Sequence, residues 1–117
     1  MAGKYIPNRG DIVWLNFTPQ SGHEQMGQRP ALVLSPKQYN SKVGLAVFCP
    51  ITGHKKGYPF EVDLLNTKKI NGVALSDQVK SLDWKTRKAK FAKFIEKVPE
   101  SVIKECTLKI KALLMIE

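Results

Sequence analysis

The sequence predicts a β-dominated α+β protein, a small β-barrel finished by a C-terminal amphipathic helix. Three features point there: short apolar runs recur between turn residues, one early segment alternates with period two, and the apolar spacing turns helical near the end. At 117 residues the chain has the length of one domain, expected to span residues 1–117, because a division would leave neither half a viable core.

The elements follow in order. Asn8-Arg9-Gly10 is a turn signal, and Asp11 to Phe17 alternates as a strand, with Val13, Leu15 and Phe17 on one face and Trp14 on the other. Thr18 to Gln28 is too polar and glycine-rich for a core element and reads as a long exposed loop, where function tends to concentrate. Ala31 to Leu34 and Leu45 to Phe48 are continuous apolar runs, as expected of central strands buried on both faces. Gly53 to Gly57 is a second polar turn. Further strands are expected at Phe60 to Leu64 and Gly72 to Leu82, and Lys90 to Val98 could supply one more. After Pro99-Glu100, an acceptable helix start, Val102, Ile103, Cys106, Ile110, Leu113 and Leu114 recur at helical spacing, with Lys104, Lys109 and Lys111 mainly on the other face.

Nineteen Lys and Arg against ten Asp and Glu leave a formal charge of +9, which favours a polyanionic partner and nucleic acid above an anionic membrane. No apolar stretch is long enough to span a bilayer, and no signal-peptide core opens the chain. Cys49 and Cys106 lack Cys or His neighbours at zinc-ligand spacing and read as buried free thiols, which places the protein in the cytoplasm. No metal or other cofactor is expected.

If the polyanionic partner is RNA and the chain cuts it without a metal, the chemistry needs activation of a ribose 2′-hydroxyl, protonation of the leaving oxygen and cationic stabilisation of the transition state. His23 and His54 would suffice by count for the proton transfers, although both sit in turn-rich segments and read as exposed loop residues. Arg29 lies where the long loop meets a buried strand, with Pro30 restricting the backbone beside it. Its guanidinium could grip a phosphate through two donors, or could pair structurally with Glu24 or a carbonyl. Thr52 ends a strand before Gly53; its hydroxyl could donate to a phosphate oxygen or merely close a turn. Lys85, Arg87, Lys88, Lys90 and Lys93 beside Trp84 and Phe91 fit either a surface that stacks on single-stranded RNA or a solvated face with two buried aromatics.

A resemblance selects among these options. Arg9-Gly10-Asp11-Ile12-Val13-Trp14, Gly22-His23-Glu24-Gln25, Arg29-Pro30-Ala31-Leu32-Val33-Leu34-Ser35, Pro50-Ile51-Thr52, Lys56-Gly57-Tyr58-Pro59-Phe60 and Asp77-Gln78-Val79-Lys80-Ser81 are similar, in this order, to blocks of the MazF/PemK toxin family. The resemblance implies an SH3-like barrel and a homodimer with RNA crossing its interface. It implies a sequence-specific, metal-independent endoribonuclease, the toxin of a type II toxin–antitoxin system, which cuts single-stranded messenger RNA to 2′,3′-cyclic phosphate and 5′-hydroxyl ends. A cognate antitoxin, acidic and partly disordered, would inhibit it by covering the groove. Arg29 and Thr52 match the positions that carry catalysis, and Glu24, Asn40, Lys56, Asp77 and Gln78 match positions in or beside the RNA groove. The plasmid-borne branch has an Arg two residues before the position of Asp77; here it is Leu75, so an Asp77-centred acid/base pair is not expected and the chain resembles the chromosomal branch. The rivals are a gyrase-poisoning toxin of the same fold, which depends on a Trp-Gly-Ile ending where this chain has Leu114-Met115-Ile116-Glu117, and a non-catalytic RNA-binding barrel.

Overall fold

The structure is a computed structural model that describes residues 5–16, 28–65, 67, 70–85 and 94–115. In chain order these form β1 (Asp11–Asn16), β2 (Gln28–Val33), α1 (Lys37–Val43), β3 (Leu45–Thr52), β4 (Glu61–Asp63), β5 (Val73–Leu75), a 3₁₀ turn (Ser76–Gln78), β6 (Lys80–Asp83), β7 (Phe94–Lys97) and α2 (Glu100–Leu114).

The strands pair antiparallel in the order β4-β5-β3-β2-β1-β7, and β6 also pairs with β3. Strand β3 organises the sheet. Its first half, Leu45–Phe48, pairs with β6, its end at Ile51 and Thr52 pairs with β5, and Phe48–Pro50 pairs with β2. One strand serving three partners curls the sheet, in keeping with the expected barrel.

Both faces of the sheet are buried, which is why β2 and β3 read as continuous apolar runs instead of alternating ones. Ile12, Leu32, Cys49, Ile51, Val62 and Ala74 form one cluster with Val98, just before α2, and with Val102 and Cys106 on it. Val13, Leu15, Ala31, Val33, Ala46 and Phe48 form the other with Trp84. The expected split of β1 holds: Val13 and Leu15 face one cluster while Trp14 packs against the other; Phe17 lies outside the described residues. Both cysteines are buried free thiols. The hydrogen bond with the adjacent Cys106, then burial, pushes the Cys49 thiol up. Among the described residues no helix is long and apolar enough to cross a membrane.

The structure departs from the sequence expectations in three places. Helix α1 was not foreseen: it is one short polar element whose only buried residue is Asn40, so it carries no apolar stripe, and it ends at Gly44 in the left-handed conformation, φ 83°. The strand expected over Gly72 to Leu82 is two strands, because the Ser76 amide and hydroxyl both donate to the Phe60 carbonyl (3.1 and 2.6 Å) and turn the chain between β5 and β6. Finally, α2 covers its sheet face through Val102 and Cys106, with Ile103 half-buried against them. Leu113 and Leu114 are exposed, because a 15-residue helix, roughly 22 Å long at 1.5 Å per residue, runs past the face it covers.

Candidate active site

The β2–β3 ladder ends at Ala31 opposite Pro50. Neither Pro30 nor Pro50 has an N–H to donate, so the strands are free to separate there. Beyond that pair each strand keeps another partner: Arg29 pairs with Leu15 of β1, and Thr52 with Val73 of β5. Arg29 is exposed, and among the described residues its guanidinium makes no hydrogen bond or ion pair. Its conjectured partner Glu24 lies outside those residues, as does His23.

Thr52 opens a groove of about 460 Å³ lined by Thr52, His54, Lys56, Tyr58, Glu61, Leu75, Asp77 and Gln78. The pairs Thr52–Val73 and Glu61–Leu75 put Thr52, Leu75 and Glu61 on one side of the sheet, while Ile51, Ala74 and Val62 point into the core beneath α2. Gly72 lets β5 approach this closely, since a Cβ there would collide with the Thr52 carbonyl. The Thr52 Oγ accepts the His54 N–H at 3.2 Å. The two sequence readings of Thr52 are thus compatible: the oxygen closes the turn as an acceptor, and the O–H, which donates to nothing among the described residues, is left for a ligand.

Glu61 shapes the loop on the far wall. Its carboxylate accepts the backbone N–H groups of Lys56 (2.9 Å), Gly57 (3.0 Å) and Tyr58 (3.3 Å), and Gly57 supplies the left-handed backbone the bend needs, φ 81°. Lys55 turns outward to Asp63 at 3.2 Å, an exposed pair of little energetic weight. Lys56 lines the groove with no ion pair among the described residues. The 3₁₀ turn presents Asp77 and Gln78. Asp77 Oδ2 accepts the Tyr58 hydroxyl at 2.8 Å, and that hydrogen bond, then the carboxylate charge, pushes the Tyr58 phenol above its ordinary range. Asp77 Oδ1 is buried with no partner among the described residues.

Of the residues singled out in the sequence, the groove gathers Thr52, His54, Lys56, Asp77 and Gln78, while Arg29 lies on β2 beyond the end of its ladder with β3. Asn40 is a correction. It is fully buried in α1, donating to the carbonyls of Pro7 and Ser35 and accepting from the Ser35 hydroxyl, so its carboxamide is committed to the fold and does not face the groove. Trp84 offers no stacking surface either, being buried with its indole N–H donated to the Asn40 carbonyl at 3.0 Å; Arg87, Lys88, Lys90, Phe91 and Lys93 lie outside the described residues. The sequence assigned no role to Tyr58 or Glu61, while His54 is the exposed loop residue it was read as, and it lines the groove. The signal available was the polar bend at Gly57 with a carboxylate four residues on, a spacing suited to binding the turn's own amides.

The model of the PemK-like, MazF-like toxins of type II toxin–antitoxin systems matches residues 8–114. The chain belongs to this family. Among its relatives, the endoribonuclease toxin MazF of Escherichia coli K12 is 51% identical over 89 residues, covering 76% of this chain and 79% of that protein. The endoribonuclease toxin ChpB of the same strain is 40% identical over 109 residues, covering 89% and 90%. In three dimensions the chain is similar to MazF in the MazE–MazF crystal structure (Form-II) from Deinococcus radiodurans, with a TM-score of 0.87 at 48% identity over 97% of this chain and 100% of that one. The curled sheet with its C-terminal helix is therefore the MazF-type fold.

Proposed function

We propose that the chain is the endoribonuclease toxin of a type II toxin–antitoxin pair and that it cuts single-stranded messenger RNA, at particular sequences, with Arg29 and Thr52 acting on the scissile phosphate. The observation that supports this reading most is the groove itself: Thr52 opens it beside Lys56 and Gln78, and the Thr52 O–H donates to nothing among the described residues. The ribose 2′-oxygen forms a bond to the phosphorus as the bond to the 5′-oxygen breaks, leaving 2′,3′-cyclic phosphate and 5′-hydroxyl ends. Arg29 offsets the charge that develops on the non-bridging oxygens, and Thr52 donates a hydrogen bond to one of them. The proton leaving the 2′-hydroxyl and the one reaching the 5′-oxygen pass through groups of the groove; His54 lines it, and imidazole is the side chain suited to such transfers near neutrality. Lys56 and Gln78 contact RNA, joined by Asp77 and, from the long loop, by Glu24.

Among the described residues no three His, Cys, Asp or Glu side chains gather as a metal site, and this mechanism assigns the transition-state charge to Arg29 instead of an ion. Cleavage is therefore expected to persist in excess EDTA, with cyclic-phosphate and 5′-hydroxyl ends on the products of a long transcript. Activity lost to EDTA and restored by magnesium, or products with 5′-phosphates, would overturn the mechanism.

The protein acts in the cytoplasm as a homodimer, and the cognate antitoxin neutralises it by laying an acidic, partly disordered segment along the same basic groove. Two observations support the antitoxin's part in this: the net charge of +9, and the MazE–MazF complexes of structurally similar proteins. Sedimentation should give a dimer at micromolar concentration, and antitoxin should displace labelled, uncleaved RNA competitively. A monomer, or RNA and antitoxin bound together in one groove, would count against this arrangement.

A further inference from the structure

We infer that Tyr58 is the base-stacking platform of the groove, with Asp77 as the positioning residue that holds its ring in place; this rests on the endoribonuclease reading above. Exposure alone does not single Tyr58 out, since Tyr39 on α1 is as open, at 41% against 46%. The difference is restraint. The Tyr58 hydroxyl is tied to Asp77 Oδ2 at 2.8 Å, its backbone amide is one of the three gathered by Glu61, and its ring rests against Phe60 with centroids 5.9 Å apart and planes tilted by 56°. An aromatic ring open to a groove and already fixed on three sides loses little freedom when a planar ligand arrives.

The surroundings specify the ligand. Tyr58 lines the same groove as Thr52, and Lys56 on its own loop supplies a cation beside it, the pairing of charge and stacking surface that single-stranded nucleic acid uses. The occupant is the nucleobase next to the phosphate held at Thr52. Because every base has a π-face, this contact supplies affinity without sequence preference, and discrimination between bases falls to the hydrogen-bonding groups of the groove, Gln78 first.

The test uses an RNA that the wild-type protein cuts, made uncleavable by 2′-deoxy substitution at the scissile nucleotide and carrying 2-aminopurine at successive positions. Wild type should quench the fluorophore strongly at one position beside the scissile phosphate. Tyr58→Leu should abolish that quench, weaken binding by about 10- to 100-fold and raise KM for the cleavable RNA similarly, with kcat much less affected. Tyr58→Phe keeps the ring and should retain the quench with a smaller loss of affinity. Asp77→Ala should weaken binding clearly more in the wild-type background than on a Tyr58→Phe background, since without the hydroxyl only the contact Asp77 itself makes with RNA is left to lose. Tyr58 is exposed, so thermal melts of its variants should match wild type. Quench and KM unchanged in Tyr58→Leu would overturn the stacking role, and an undiminished Asp77→Ala effect on the Tyr58→Phe background would overturn the positioning role. A wild-type protein that leaves RNA intact would instead sink the endoribonuclease reading itself.

Discussion

Replacing Arg29 by Ala is expected to slow single-turnover RNA cleavage by about 100-fold or more, the scale on which removing one preorganised donor acts at a developing oxyanion. Arg29 is exposed at the end of the β2–β3 ladder, so its truncation opens no cavity, and the variant should melt with wild type. The guanidinium's work is concentrated in the transition state, where charge builds on the phosphate; affinity for uncleaved RNA should therefore fall far less than the rate. Thr52→Ala should show a similar or smaller loss. Arg29→Lys is the sharper comparison, because it retains the charge and gives up the planar two-pronged geometry: recovery to near wild-type rates would mean that charge alone suffices. A folded Arg29→Ala protein that cuts RNA at nearly the wild-type rate would remove Arg29 from the mechanism and turn attention to Asp77, His54 and Glu24.

What the sequence made legible was what periodicity records. β2, β3 and α2 bury continuous or helically spaced apolar residues, and each was visible as such; the buried thiols and the exposed bend at Gly53 to Gly57 were visible for the same reason. Helix α1 was hidden because its single buried residue is an asparagine, and the 3₁₀ turn at Ser76–Gln78 because it exists through long-range bonds to Phe60 that leave no local pattern. The candidate site was half legible. Arg29 and Thr52 each stood out only as a residue at a strand end, and the family resemblance alone joined them. Tyr58, Glu61 and Asp77 are linked by hydrogen bonds that close between β4, the loop before it and the turn after β5. Family resemblance also carried an error, for the position matching Asn40 was assigned to the groove while in this chain the side chain is enclosed.

Asn40→Ala should accordingly be a stability variant and not a catalytic one. Its Nδ2 donates to the Pro7 carbonyl at 2.8 Å and the Ser35 carbonyl at 3.0 Å, while its Oδ1 accepts from Ser35 Oγ at 2.6 Å, which in turn receives the Val47 amide at 2.8 Å. One carboxamide thus joins the N-terminal segment, the end of β2, α1 and β3, and its own carbonyl receives the Trp84 indole at the edge of the second core cluster. Truncation strands several buried polar groups at about 1–3 kcal/mol each and opens a small void, so a total loss of roughly 2–4 kcal/mol is expected once the partners relax. In a domain of this size that lowers the melting temperature by on the order of 10 °C or more. Asn40→Asp should be no milder, because it removes the double donor and puts a charge where water does not reach. At a temperature where both proteins are folded, the Ala variant should cut RNA at close to the wild-type rate. An Asn40→Ala protein with an unchanged melt and a large loss of cleavage would mean that Asn40 reaches the RNA after all, and that α1 opens to let it do so.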